Sequence, residues 1–173
     1  MSFQKYKRIF IIGHHGAGKA LLAKALAEKL GWEFIDADLG LEARIGRFLS
    51  EIVGKPSGVE AFCQCQTEIL NNQLEKKNIV VATDSSLLVT EKNKKLLSSE
   101  FVVYLKVSTS TQIERTSHHA VEPLLPVSDY ANFLDMAHNE RDSVYEKAAS
   151  ITIDSDENTL EKHVNGIIDV LEK

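Results

Sequence analysis

The chain predicts a three-layer α/β sandwich, a five-stranded parallel sheet with helices on both faces. Three observations predict it. Short apolar runs alternate with longer helical patterns from end to end, the rhythm that builds parallel sheets. The runs are rich in Ile, Val and Phe without strict polar alternation, as strands buried on both faces should be. A glycine-rich loop then joins the first run to the first helix.

Strands are expected at 8–12, 33–36, 79–83, 101–106 and 150–154. Helices are expected near 19–30, 38–48, 58–77, 91–97, 109–117, 128–147 and 157–172. Five strands suffice for a sheet of ordinary size. With 173 residues and no interdomain linker, a single domain over 1–173 is expected. Gly54-Lys55-Pro56-Ser57-Gly58 breaks the chain before a long helix. The stretch from Ser117 to Pro126 carries two prolines, and a short lid is expected over about 117–127.

The first strand, Arg8-Ile9-Phe10-Ile11-Ile12, runs into Gly13-His14-His15-Gly16-Ala17-Gly18-Lys19-Ala20. This matches the phosphate-cradling loop G-x-x-x-x-G-K-[ST] at every fixed position but the last. Gly13, Gly16 and Gly18 allow close backbone approach. The exposed amides of the loop and the first helical turn would point at phosphate oxygens, and Lys19 would supply a charge for the terminal phosphates. The residue after the lysine normally offers Mg²⁺ a hydroxyl; here it is Ala20.

Bulk properties narrow the partners. A net charge of −5 and a pI near 5.7 argue against a nucleic-acid-binding surface. No apolar run approaches the roughly 18 residues of a membrane span, and the N-terminus lacks a signal-peptide pattern. Cys63 and Cys65 lie two apart in a helical stretch, about 200° around the axis, and cannot easily bridge. Reduced thiols in a cytoplasmic monomer are the expectation.

The order of motifs resembles the shikimate kinase family, within the nucleoside-monophosphate-kinase-like P-loop group. After the loop come Phe34-Ile35-Asp36-Ala37-Asp38, like the family's D-x-D, and Gly58-Val59-Glu60-Ala61-Phe62, like G-E-x-x-F-R. Val80-Val81-Ala82-Thr83 resembles the strand before G-G-G, and Pro123-Leu124-Leu125 resembles the lid's R-P-L-L. Arg141 with Tyr145-Glu146-Lys147-Ala148 resembles R-x-x-x-Y-x-E-x-A. The resemblance implies a P-loop kinase fold in which ATP phosphorylates a hydroxyl of a small acceptor. It implies that Gly13, His15, Gly16, Ala17, Gly18, Lys19 and Ala20 surround the phosphates and that Arg115 lies near the adenine. Asp36 would position Mg²⁺ through water, Asp38 would bond the acceptor hydroxyl and aid its deprotonation, and Arg141 would pair with an acceptor carboxylate. Asp36 and Asp38 also follow a strand and could simply cap the next helix. Arg141 could instead pair with a glutamate on a solvated helix face.

Departures from the family pattern cluster on chemistry. Ala20 replaces the magnesium-binding hydroxyl, Cys63 an acceptor-gripping arginine, Gln66 a glutamate, Asp84-Ser85-Ser86 the G-G-G turn, and Glu122 the lid arginine. An arginine–carboxylate bond contributes about 1.5–3 kcal/mol, so shikimate is a doubtful acceptor. Asp84 joins the expected acceptor-binding residues; it could also hold Mg²⁺ from another side. The added acidity favours a neutral or cationic acceptor. Two alternatives stand beside a live kinase: a catalytically inactive nucleotide-binding or regulatory pseudokinase, and a purely structural domain.

His14, His15, His118, His119 and Cys63 carry zinc- and nickel-type ligand atoms. No short spacing fixes a site, and adjacent histidines rarely both point inward. Solvated or phosphate-contacting histidines are the expectation.

Overall fold

In the computed structural model, residues 5–38, 56–117 and 127–173 are described. The chain runs β1 (Arg8–Ile12), α1 (Lys19–Leu30), β2 (Glu33–Asp36), α2 (Pro56–Leu74), β3 (Ile79–Ala82) and a 3₁₀ turn (Leu87–Val89). It continues through α3 (Glu91–Leu97), β4 (Phe101–Lys106), α4 (Thr109–Ser117), α5 (Val127–Ala148), β5 (Ile151–Asp154) and α6 (Leu160–Leu171). The five strands form one parallel sheet in the order β2-β3-β1-β4-β5.

Strand side chains alternate between two cores. Ile9 and Ile11 of β1 face the layer of α1 and α6, where they meet Leu22, Leu26, Val164 and Ile167. Phe10 and Ile12 face the opposite layer, against Leu70 of α2, Leu97 of α3 and Tyr145 of α5. Burying each large aliphatic side chain contributes roughly 1.5–3 kcal/mol, so the three central strands, which fill both cores, anchor the sandwich. A third, smaller cluster of Tyr130, Phe133 and Leu134 ties α5 to Ile113 of α4.

The expected strands all form, within a residue of their predicted ends. Burial on both faces holds for β1, β3 and most of β4. It fails for β2 and β5, which sit at the sheet edges and are only partly covered. The helix near 58–77 ends earlier, at Leu74, because the chain turns through Asn78 at φ 59° before entering β3. The last helix starts at Leu160 rather than 157, where Thr159 accepts a bond from the Lys162 amide. The helix near 38–48, Glu122, His118, His119 and most of the expected lid lie outside the described residues. Both cysteines are free thiols.

Candidate active site

The site lies at the carboxyl ends of β1, β2 and β3, where parallel sheets of this kind bind ligands. β1 delivers Gly13, whose φ of +146° and close packing exclude a side chain: a Cβ there would lie 2.5 Å from the Leu105 carbonyl oxygen. Gly18, at φ +95°, lets the loop turn directly into α1. Lys19 is therefore the first residue of that helix, and its side chain folds back over the loop.

The Lys19 ammonium is almost wholly buried. It donates to the His14 carbonyl at 2.8 Å and lies 3.4 Å from Asp38 Oδ2. Asp36 Oδ1 accepts the Asp38 amide at 3.0 Å, so the first carboxylate of the pair orients the second. This two-residue turn leaves Asp38 beside the lysine; the helix that the two carboxylates could cap lies outside the described residues.

A cavity of about 610 Å³ opens over the loop, lined by His15 through Leu22, Asp38, Arg115, Ser155 and His163 among others. Arg115 closes one side. Its Nη1 donates to the Gly16 carbonyl at 2.7 Å and its Nη2 to the Ser155 carbonyl at 3.4 Å. Ser155 in turn donates to the Ala17 carbonyl at 2.7 Å. Gln112 donates to the His15 carbonyl at 2.6 Å. These bonds occupy loop carbonyls, which would repel phosphate, and leave the chemistry of the cradle to its amides and to Lys19.

A second cavity, of about 250 Å³, lies between the end of β3 and α2. Its walls include Asp36, Gln66, Thr83 and Asp84 among apolar neighbours. Asp84 Oδ2 accepts from the Ser86 amide at 3.1 Å, from the Ser86 hydroxyl, and from Gln66 Nε2 at 3.4 Å. Gln66 Nε2 also donates to Ser86 Oγ at 3.0 Å. Three positions that depart from the resembled pattern are thus one hydrogen-bonded unit. A glutamate at 66 would face Asp84 with like charge; glutamine faces it with a donor.

Arg141 is buried but lies outside this cavity. Its Nη1 reaches the Ser85 carbonyl at 3.4 Å, beside the Tyr145 hydroxyl at 2.6 Å from the same oxygen. The structure therefore sets Lys19 beside Asp38, puts Asp36 and Asp84 on one cavity, and holds Arg141 at the Ser85 carbonyl.

His14 is the largest surprise. It is neither solvated nor turned to the phosphate cavity: its ring is buried, with Nε2 2.5 Å from Asp142 Oδ1. Burial lowers its pKa to about 4, against the raising effect of Asp142. Burial pushes the Asp142 carboxyl up, but the hydrogen bonds from His14 and His138 outweigh it and hold the carboxyl below its usual range. The Tyr104 hydroxyl, 3.2 Å from Asp142 Oδ1, is pushed up by burial and by that carboxylate and stays protonated. Sequence reasoning missed His138 and Asp142. Their signal was the i,i+4 spacing that places them on one face of α5.

The family model for shikimate kinase matches residues 15–172. The chain belongs to the shikimate kinase family. A shikimate kinase of Legionella pneumophila (strain Corby) is 35% identical over 172 residues, covering 99% of this chain and 98% of that one. The solved shikimate kinase of Acinetobacter baumannii, in complex with shikimate, superposes with a TM-score of 0.78 at 29% identity, covering 98% of this chain and 95% of the other. A deoxyadenosine kinase from M. mycoides with bound dATP, 17% identical over 96% of this chain and 100% of its own, shares the fold with a TM-score of 0.67. Ala20 lines the larger cavity and Gln66 and Asp84 the smaller one, with Ser86 hydrogen-bonded to both of the latter. Among the described residues, no helix is long and apolar enough to cross a membrane.

Proposed function

We propose that this shikimate kinase family member transfers the terminal phosphate of ATP to a hydroxyl of a small acceptor, and that shikimate itself is a poor acceptor. The observation that carries the reading is the Lys19–Asp38 contact of 3.4 Å, which joins a phosphate-type cradle to a carboxylate on the acceptor side. The loop amides fit phosphate oxygens, that of Ala17 on leaving its 3.3 Å bond to the His14 carbonyl, and Lys19 neutralises the phosphate charge. Arg115, beside the loop, is the residue for the nucleotide base. The hydroxyl proton passes to Asp38 as the oxygen attacks. Asp84, hydrogen-bonded to Gln66 and Ser86, replaces an open glycine turn with a carboxylate, which favours a neutral or cationic acceptor.

Magnesium lacks its usual hydroxyl ligand after the loop lysine. Position 20 carries a methyl group that packs against the core around α1, and Asp36 already holds the Asp38 amide. An ion carried in on ATP would meet Asp36 and Asp38 only through water, so no step is assigned to it.

The Ala20 methyl also supports a second reading, a nucleotide-binding module without transfer. A coupled ADP-release assay with shikimate, other polyols and amino-alcohols tests the first. Turnover with a neutral or cationic acceptor at least tenfold above shikimate supports it; efficient turnover of shikimate refutes the acceptor assignment. Stabilisation by ADP with no turnover on any acceptor favours the module.

A further inference from the structure

Behind the phosphate loop, away from both cavities' main walls, three side chains with metal-ligand chemistry meet. His14 Nε2, His138 Nδ1 and an Asp142 carboxylate oxygen all lie within 4.8 Å of one another. The loop after β1 supplies the first and α5 the other two, one helical turn apart. The two imidazole rings lie face to face at a tilt of 37°, with centroids 3.9 Å apart.

The proton positions follow from the acceptors around them. The His15 carbonyl can only accept, so the Gln112 atom 2.6 Å from it is the amide nitrogen. Gln112 Oε1 then lies 2.8 Å from His138 Nε2. An amide oxygen can only accept, so His138 Nε2 carries a proton. In the neutral ring, Nδ1 is then a bare lone pair, and it faces both Asp142 oxygens at 3.0 and 3.1 Å. A lone pair against a carboxylate repels unless a cation lies between them, either a proton or a metal ion.

We propose that His14, His138 and Asp142 form a binding site for a divalent transition-metal ion of the zinc type, which clamps the phosphate loop to α5. Two imidazoles and one carboxylate suit zinc rather than magnesium or calcium, which prefer all-oxygen shells. The supporting shell is already present. A ligating histidine characteristically donates its other N–H to an oxygen, as His138 does to Gln112. The ligating carboxylate is itself hydrogen-bonded by Tyr104. Zinc bonds of about 2.0–2.1 Å hold ligand atoms roughly 3.4 Å apart, so the imidazole nitrogens at 2.5 and 3.0 Å from Asp142 Oδ1 must part from it slightly and the two tilted rings must turn to admit the ion. Asp142, with a side chain 35% exposed, gives the ion a way in from solvent. The site is independent of the acceptor and of turnover.

Chelator-treated, full-length protein titrated with Co²⁺ provides the test. The expected result is one Co²⁺ per chain, with the intense visible absorption of tetrahedral cobalt, displaced by Zn²⁺. His138→Gln and Asp142→Asn should abolish that absorption while keeping the wild-type far-ultraviolet circular dichroism. Gln112→Leu should weaken Zn²⁺ binding by about 10–100-fold in competition with a chromogenic chelator. Cys63→Ser and His163→Gln, which alter other metal-capable side chains, should retain the spectrum. No tetrahedral absorption in the wild type at millimolar Co²⁺ would overturn the site. An unchanged spectrum in a folded His138→Gln or Asp142→Asn variant would overturn it equally.

Discussion

The Lys19 ammonium stands between two oxygens, 2.8 Å from the His14 carbonyl and 3.4 Å from the Asp38 carboxylate. The loop thereby holds its cation satisfied and in place before any phosphate arrives, a form of preorganisation.

That contact separates two roles. Asp38→Asn keeps the volume and loses the proton acceptor. It should lower turnover by about 10²–10⁴-fold while ADP still stabilises the fold. Lys19→Met should abolish the ADP-induced thermal shift. A thermal-shift assay beside the ADP-release assay reads both.

Gly13→Ala should be among the most damaging single changes in the loop. Its Cβ would meet the Leu105 carbonyl oxygen at 2.5 Å, at a φ of +146°. Strain of this kind costs about 1–3 kcal/mol even without the clash. The urea midpoint should fall accordingly, with an unchanged denaturant slope.

Ala20→Ser restores an oxygen after the lysine. The wild type should show ADP stabilisation nearly indifferent to Mg²⁺. In the variant, Mg²⁺ should tighten ADP by about tenfold, or ~1.4 kcal/mol, read by titration calorimetry with and without the ion.

Gln66 and Asp84 should prove coupled. Gln66→Glu sets a carboxylate against buried Asp84 and should cost about 3 kcal/mol or more. Adding Asp84→Gly should recover most of that loss, giving a coupling above ~1 kcal/mol in the double-mutant cycle.

Acid should destabilise the metal-free fold in a defined window. His14 titrates at about 4 when folded and near the ordinary histidine value of 6.5 when unfolded. Between these values the unfolded chain binds the extra proton, so stability falls as pH falls from about 6.5 to about 4. The loss approaches about 3 kcal/mol at the low end. Asp142, held below its usual range, continues the loss at lower pH. His14→Asn should flatten the upper part of the profile in chemical denaturation at stepped pH.

Much of this protein was written in local pattern. Five apolar runs became five strands because a buried parallel strand needs only β-branched and aromatic residues in succession. Gly13, Gly18 and Lys19 announced the loop because its backbone conformation and charge tolerate few alternatives. The Asp36–Asp38 spacing placed a carboxylate near the lysine through a two-residue turn. What local pattern could not show were pairings across long chain separations. Gln66, Asp84 and Ser86 read as three separate departures; packing α2 against the end of β3 made them one network. Edge strands β2 and β5 look like inner ones until the sheet order leaves one face of each partly open. His14 read as a solvent or phosphate histidine because its partners, His138 and Asp142, lie more than a hundred residues away. The sequence by itself determined the sandwich, the phosphate loop and the family. Only the tertiary structure decided that the loop's buried histidine turns away from phosphate, because the docking of α5 behind β1 and β4 puts an acceptor carboxylate where the ring can reach it.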